Sequence, residues 1–151
     1  MLRLIGIIAI TLSFSVSYAQ AQDKDGIIYN EDGSLYTGEF ITYHSNGSAD
    51  AIYQIDQGVF HGNVVWHDEI GNKIESGSYT EGEKDGPWYQ WTSEGQLTAE
   101  AHYFMGQKDG VWTIWDDEGL KRYHMVYHMN EKIDVWKMWD GQSNLLSEQR
   151  Y

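Results

Sequence analysis

The chain has 151 residues, with 10 Lys+Arg against 23 Asp+Glu for a formal net charge of −13, a single proline and no cysteine. So acidic a surface repels phosphate backbones and anionic lipid headgroups, which argues against nucleic acid and membrane surfaces as partners. Without cysteine, disulfides are excluded as a source of stability, so the seven Trp and 11 Tyr must supply much of what is buried.

The first element is an export signal. Met1-Leu2-Arg3 carries one positive charge and runs into the mostly apolar stretch Leu4 to Val16, which ends at the small-residue sites Ser17-Tyr18-Ala19 and Ala19-Gln20-Ala21. The apolar stretch is too short for a spanning helix, which needs roughly 20 apolar residues. We therefore read residues 1–21 as a signal peptide cut after Ala19 or Ala21, with the product periplasmic or secreted and not inserted in a membrane. Loss of Arg3 leaves nine Lys+Arg against 23 Asp+Glu, a net charge of −14. No Cys follows the apolar stretch, which argues against a lipid-anchored form.

Residues 22–151 form a repeat array of about five units. Tyr79, Tyr103, Tyr127 and Tyr151 are spaced by 24, and the same period aligns the other landmarks. Gly38, Gly62, Gly86 and Gly110 share a column that ends in Asp134; Gly47, Gly71, Gly95 and Gly119 share one that ends in Ser143. These eight are the candidate structural glycines. A further column reads Ser34, Gly58, Gly82, Gly106, Asn130. Two aromatic columns contain Trp88, Trp112, Trp136 and Trp91, Trp115, Trp139, preceded by Phe40 and Val64 in the first and by Tyr43 and His67 in the second.

Within one unit, Gly86 to Trp91 reads as an outgoing strand, Thr92-Ser93-Glu94-Gly95 as a turn with glycine at positive φ, and Leu97 to Tyr103 as the returning strand. The connections Gly82 to Gly86 and Gly106 to Gly110 carry an Asp-Gly signature and read as a second tight turn. On the returning strand Leu97, Ala99, Ala101 and Tyr103 are expected on one face, with Thr98, Glu100 and His102 on the other. Trp88 and Trp91 are three apart. Either both faces bury rings or a bulge near Gln90 turns them to one side, and partial burial on both faces is the expectation.

The units Tyr79-Gly82-Gly86-Trp88-Trp91-Gly95 and Tyr103-Gly106-Gly110-Trp112-Trp115-Gly119 resemble the MORN-repeat-variant family, with the likeness running from about Gly33 to Tyr151. The resemblance implies an all-β fold, an elongated single-layer antiparallel sheet of tandem 24-residue β-hairpins. Bacterial arrays of this kind often carry the label YwqK-type antitoxin, and related arrays are linked to membrane association and to scaffolding of protein complexes. Here the loops carry Glu81, Glu83, Asp85, Asp109, Asp116, Asp117 and Glu118, which disfavours the lipid role.

No catalytic, cofactor-binding or metal-binding residue is assigned. There is no nucleophile elbow, P-loop or zinc helix, and the array fills the chain after the signal, so we do not read the protein as an enzyme. His102, His124 and His128 read as solvated histidines of a half-exposed sheet. Asp116-Asp117-Glu118-Gly119 reads as an acidic turn without the alternating ligands of a calcium loop. Asn46-Gly47-Ser48 matches a glycosylation acceptor, but Asn-Gly is expected in that turn column anyway. The candidate site is an aromatic strip of Trp88, Trp91, Trp112, Trp115, Trp136 and Trp139, which is either the stacked core of the array or a binding surface. The functional expectation is an exported acidic interaction or scaffold module, antitoxin- or immunity-like, that holds a basic protein partner. The alternative is a carbohydrate- or cell-envelope-binding protein that uses exposed rings.

Overall fold

The computed structural model describes residues 19–22 and 26–151, and most of the export segment lies outside the described residues. The described residues contain 14 strands. β1 (Ala19–Gln22) pairs antiparallel with β2 (Ile28–Asn30). The other twelve form one antiparallel sheet of consecutive hairpins: β3 (Gly38–Tyr43), β4 (Ala49–Asp56), β5 (Val59–His67), β6 (Lys73–Thr80), β7 (Glu83–Lys84), β8 (Gly86–Trp91), β9 (Leu97–Phe104), β10 (Gln107–Lys108), β11 (Gly110–Trp115), β12 (Lys121–His128), β13 (Glu131–Trp139) and β14 (Leu145–Arg150). The sheet runs from β3 to β14 in chain order and does not close into a barrel.

Two kinds of connection alternate. At one end of the strands lie three-residue loops such as Ser93-Glu94-Gly95, where Gly95 N–H donates to Thr92 O at 2.9 Å and Thr92 N–H to Gln96 O at 2.8 Å. Gly95 has φ +87° with open space around it, so backbone conformation alone selects glycine. At the other end lie two-residue turns: Gln57–Gly58, Glu81–Gly82, Met105–Gly106 and Met129–Asn130, with φ between 45° and 84° at every position. Two successive positive φ values define a type I′ turn, whose twist matches that of the strands it joins.

This moves the second turn from its predicted place. Asp85-Gly86 and Asp109-Gly110 are not the turns. They interrupt the outgoing strand between β7 and β8 and between β10 and β11. The Asp-Gly pair there makes a bulge, with φ +80° at Gly86 and +107° at Gly110. Asp134 keeps the same conformation, φ +59°, where the column has lost its glycine.

A second correction concerns Leu97. The ladder pairs Gln90 with Ala99 but Trp91 with Leu97, a one-residue shift that leaves Thr98 as the extra residue. Leu97 therefore goes to the face of Trp91, away from Ala99, Ala101 and Tyr103.

Burial is concentrated early in the array. Ile28, Tyr36 and Ile55 form one cluster, and Val64, Trp88 and Ala101 a second. The segment before β3 caps the first tight turn: Ile28 N–H donates to Gly58 O at 2.8 Å, and Gly58 N–H to Tyr36 O at 2.7 Å.

Candidate binding surfaces

One face of the sheet carries an unbroken series of ring contacts. Phe40 meets Tyr53, Tyr53 meets Trp66, and Trp66 meets Trp88. From Trp88 the series runs through Tyr103, Trp112, Tyr127 and Trp136 to Tyr151, with centroids 4.9 to 6.1 Å apart. All eight pairs are edge-to-face or tilted and none is a face-to-face sandwich, as the ring quadrupole favours. Trp alternates with Tyr because each outgoing strand contributes one and each returning strand the other. Trp88, Trp112 and Trp136 thus belong to this ladder.

Trp91, Trp115 and Trp139 do not. Trp91 lies beside Tyr89, centroids 5.8 Å apart, on the opposite face, and Trp115 and Trp139 follow by the same three-residue offset from Trp112 and Trp136. The six candidate rings are therefore split between two faces. Only Trp88 is fully buried, at 3% exposure, and the other five are partly buried.

Lysine completes the ladder. Lys84 Nζ stands 3.6 Å from the Trp88 ring centre and 5.4 Å from that of Tyr103. Lys108 takes the same place over Trp112 and Tyr127, and Lys132 over Trp136 and Tyr151. A cation held over ring faces gains about 0.5–2 kcal/mol depending on its solvation. Lys84 also lies 3.6 Å from Glu75. Tyr36 and Phe60 hold the two earlier places in this 24-residue column, so it runs from aromatic to cationic along the chain. The spacing of Lys84, Lys108 and Lys132 was the signal that sequence reading passed over.

Burial among the rings acts on the tyrosine hydroxyls. The Tyr79 phenol is pushed up to about 12 by desolvation, with smaller contributions from Tyr53 and Glu75. Tyr53 and Tyr103 move in the same direction, again mainly through desolvation. The Trp112 and Trp136 indole N–H groups donate to His102 O and Val126 O at 3.0 and 2.9 Å. The buried Trp88 N–H has no such partner among the described residues.

The carboxylates sit mainly at strand ends, several of them in structural roles. Asp116 Oδ1 accepts the backbone N–H groups of Glu118 and Leu120 at 3.2 and 2.8 Å, and Arg122 lies 3.5 Å from its other oxygen. Asp140 caps its own loop likewise, and the Asn144 amide, the Asn144 N–H and the Gln142 N–H hold its carboxyl below the ordinary value. The bulge aspartates reach across to the next tight turn: Asp85 Oδ1 accepts Met105 N–H at 3.1 Å and Asp109 Oδ1 accepts Met129 N–H at 3.3 Å. Thr37 does the same for Gln57 at 2.9 Å. This explains an acidic residue before the bulge glycine better than a turn does.

No protein-family model matches the chain, and no curated protein matches it.

On the second face His102 Nδ1 lies 2.8 Å from Val111 O, and Thr113 stands between His124 on one neighbouring strand and Glu100 on the other. His128 Nδ1 is 2.8 Å from Asp109 Oδ1. Among the described residues no three His, Asp or Glu side chains are grouped so as to hold a metal ion. A shallow groove of about 310 Å³ lies on this side, lined by Asn72, Lys73, Trp91, Ser93, Glu94 and Gly95.

Proposed function

We propose that the protein is an exported, acidic interaction module of the MORN-repeat-variant type, whose ladder is its core and whose strand-end carboxylates hold a basic protein partner. The observation that carries this reading is where the cations go. The chain's 10 Lys+Arg, less Arg3 and Lys24, leave eight among residues 26–151. Seven of those lie against the chain's own rings or carboxylates: Lys73 on Trp91, Lys84, Lys108 and Lys132 in the ladder, Arg122 at Asp116, Lys137 at Glu148 and Arg150 at Asp134. The same residues hold 21 acidic groups, the chain's 23 less Asp23 and Asp25. With most of its cations set against its own rings and carboxylates, the array presents a surplus of negative charge to solvent, which steers association with a positive partner.

Immobilised protein is challenged with basic proteins of the cell envelope at low salt and at about 0.5 M salt, where exposed charges are screened within a few Å. Retention at low salt and release at high salt is the expected result. A salt-indifferent partner removes the reading.

The carbohydrate reading retains one specific foothold, the groove at Trp91. Lys73 Nζ already stands 3.7 Å from the centre of that ring, so a sugar would have to displace an ammonium. Quenching of Trp fluorescence by glycans, lost in Trp91→Ala, would favour it.

A further inference from the structure

The row of tight turns changes character along the array. Its first two members present Asp56-Gln57 and Thr80-Glu81; the next two present Phe104-Met105 and His128-Met129. Phe104, Met105 and Met129 are 53%, 43% and 41% exposed, and Ile133, which occupies the column of Asp85 and Asp109, is 38% exposed. None of these four belongs to either buried cluster. Nor does the turn ask for methionine. Met105 and Met129 have φ of 45° and 49°, the left-handed region where Asn, Asp or Gly is favoured.

The two methionine turns lie beside carboxylates. Glu83 packs its carboxylate against the Cα side of Gly106, within the Met105–Gly106 turn. Asp85 and Asp109 bond the backbone N–H groups of the two methionines themselves. Flexible, polarisable methionines set beside carboxylates form a surface that adapts to apolar side chains interspersed with cations.

We infer that the Met105 and Met129 turns, with Phe104 and Ile133, dock a segment of the partner that interleaves large apolar residues with Lys or Arg. Charge complementarity with Glu83, Asp85 and Asp109 selects this occupant over an acidic or uncharged one. The inference rests on the basic-partner reading above and gives that partner a second chemical requirement, apolar anchors.

The test uses the purified protein and two labelled synthetic peptides of about 18 residues. One carries Leu and Lys in amphipathic helical order; the other has every Leu replaced by Gln at unchanged charge. At about 0.15 M salt the Leu/Lys peptide should bind at least about tenfold more tightly than the Gln/Lys peptide. The double variant Met105→Asn, Met129→Asn suits the turn conformation and keeps the net charge. It should lose about tenfold for the Leu/Lys peptide and nothing for the Gln/Lys peptide.

If the variant binds the Leu/Lys peptide as tightly as the parent, the apolar turns are not the dock, while the acidic reading survives. If neither peptide binds even at low salt, both readings fall. A concentration-dependent dimer that the variant abolishes would make a second copy the occupant and overturn the proposal.

Discussion

The Trp88 indole lies across Gly77, occupying the space that a Cβ at position 77 would need. Trp88 is also the most deeply buried of the six candidate tryptophans. Gly77→Ala should therefore destabilise by about 1–3 kcal/mol through overpacking, and Trp88→Ala by about 3–5 kcal/mol through the cavity it leaves. In the Trp88→Ala background the Gly77→Ala cost should largely vanish, because the two residues compete for one volume. Urea unfolding of the four proteins measures the cycle; additive costs would show that Trp88 does not rest on Gly77 in solution. Trp115→Ala, at a partly exposed position, should cost less than Trp88→Ala.

Lys84→Gln should lower stability by about 0.5–1 kcal/mol, since it removes an ammonium held over Trp88 and Tyr103 and beside Glu75. Lys121→Gln, at an exposed position with no such partner among the described residues, makes the same change in charge and should stay within about ±0.5 kcal/mol. Thermal unfolding compares them. Equal effects would mean that net charge, not ring contact, governs the lysine column.

Because the folded chain raises the Tyr79 phenol from the ordinary 10.0 to about 12, Tyr79 binds its proton more tightly when folded than when unfolded. That contribution is complete below about pH 10 and disappears as pH rises through about 12. Stability should be insensitive to this group at neutral pH and fall in the alkaline window. Tyr79→Phe should make that fall shallower, as followed by tyrosinate absorbance alongside unfolding. An unchanged alkaline slope would place the Tyr79 hydroxyl in water.

Removal of residues 103–126 should leave a folded, shorter array. The ladder pairs Gly86 with Tyr103 and Trp88 with Ala101, and one unit later Gly110 with Tyr127 and Trp112 with Met125. After the deletion, Tyr127 takes the position of Tyr103 against Trp88. Removal of residues 97–102 alone takes out most of a returning strand and throws the following pairs out of register. Circular dichroism and cooperative melting distinguish the two proteins, and equal behaviour would contradict nearest-neighbour packing.

The architecture was legible because its signals are strictly periodic. Glycines such as Gly71 and Gly95, with φ of +91° and +87°, recur every 24 residues at the left-handed last position of the three-residue loops. Features that break the pairing rules were less visible. Asp85-Gly86 has the composition of a tight turn, and only the pairing of Tyr79 with Lys84 shows that the chain has already turned at Glu81–Gly82. The facing of Leu97 depends on one extra residue in the ladder, which alternation cannot reveal. The lysine column escaped notice because its first members are Tyr36 and Phe60, so the common property is contact with rings and not residue class. The division of the six tryptophans between two faces did follow from their spacing of three.

Each tight turn is fastened by the unit before it. Gly82 N–H donates to Phe60 O, Gly106 N–H to Lys84 O and Asn130 N–H to Lys108 O, at 2.8 to 2.9 Å, while Asp85 and Asp109 hold the adjoining methionine N–H groups. In each of these five bonds the acceptor comes earlier in the chain than the donor it captures. A polypeptide emerging N-terminus first thus carries, at every stage, the anchor for the hairpin about to appear. Truncation from the C-terminus should therefore leave the remaining turns with these anchors, whereas truncation from the N-terminus removes the anchor of the first turn that remains.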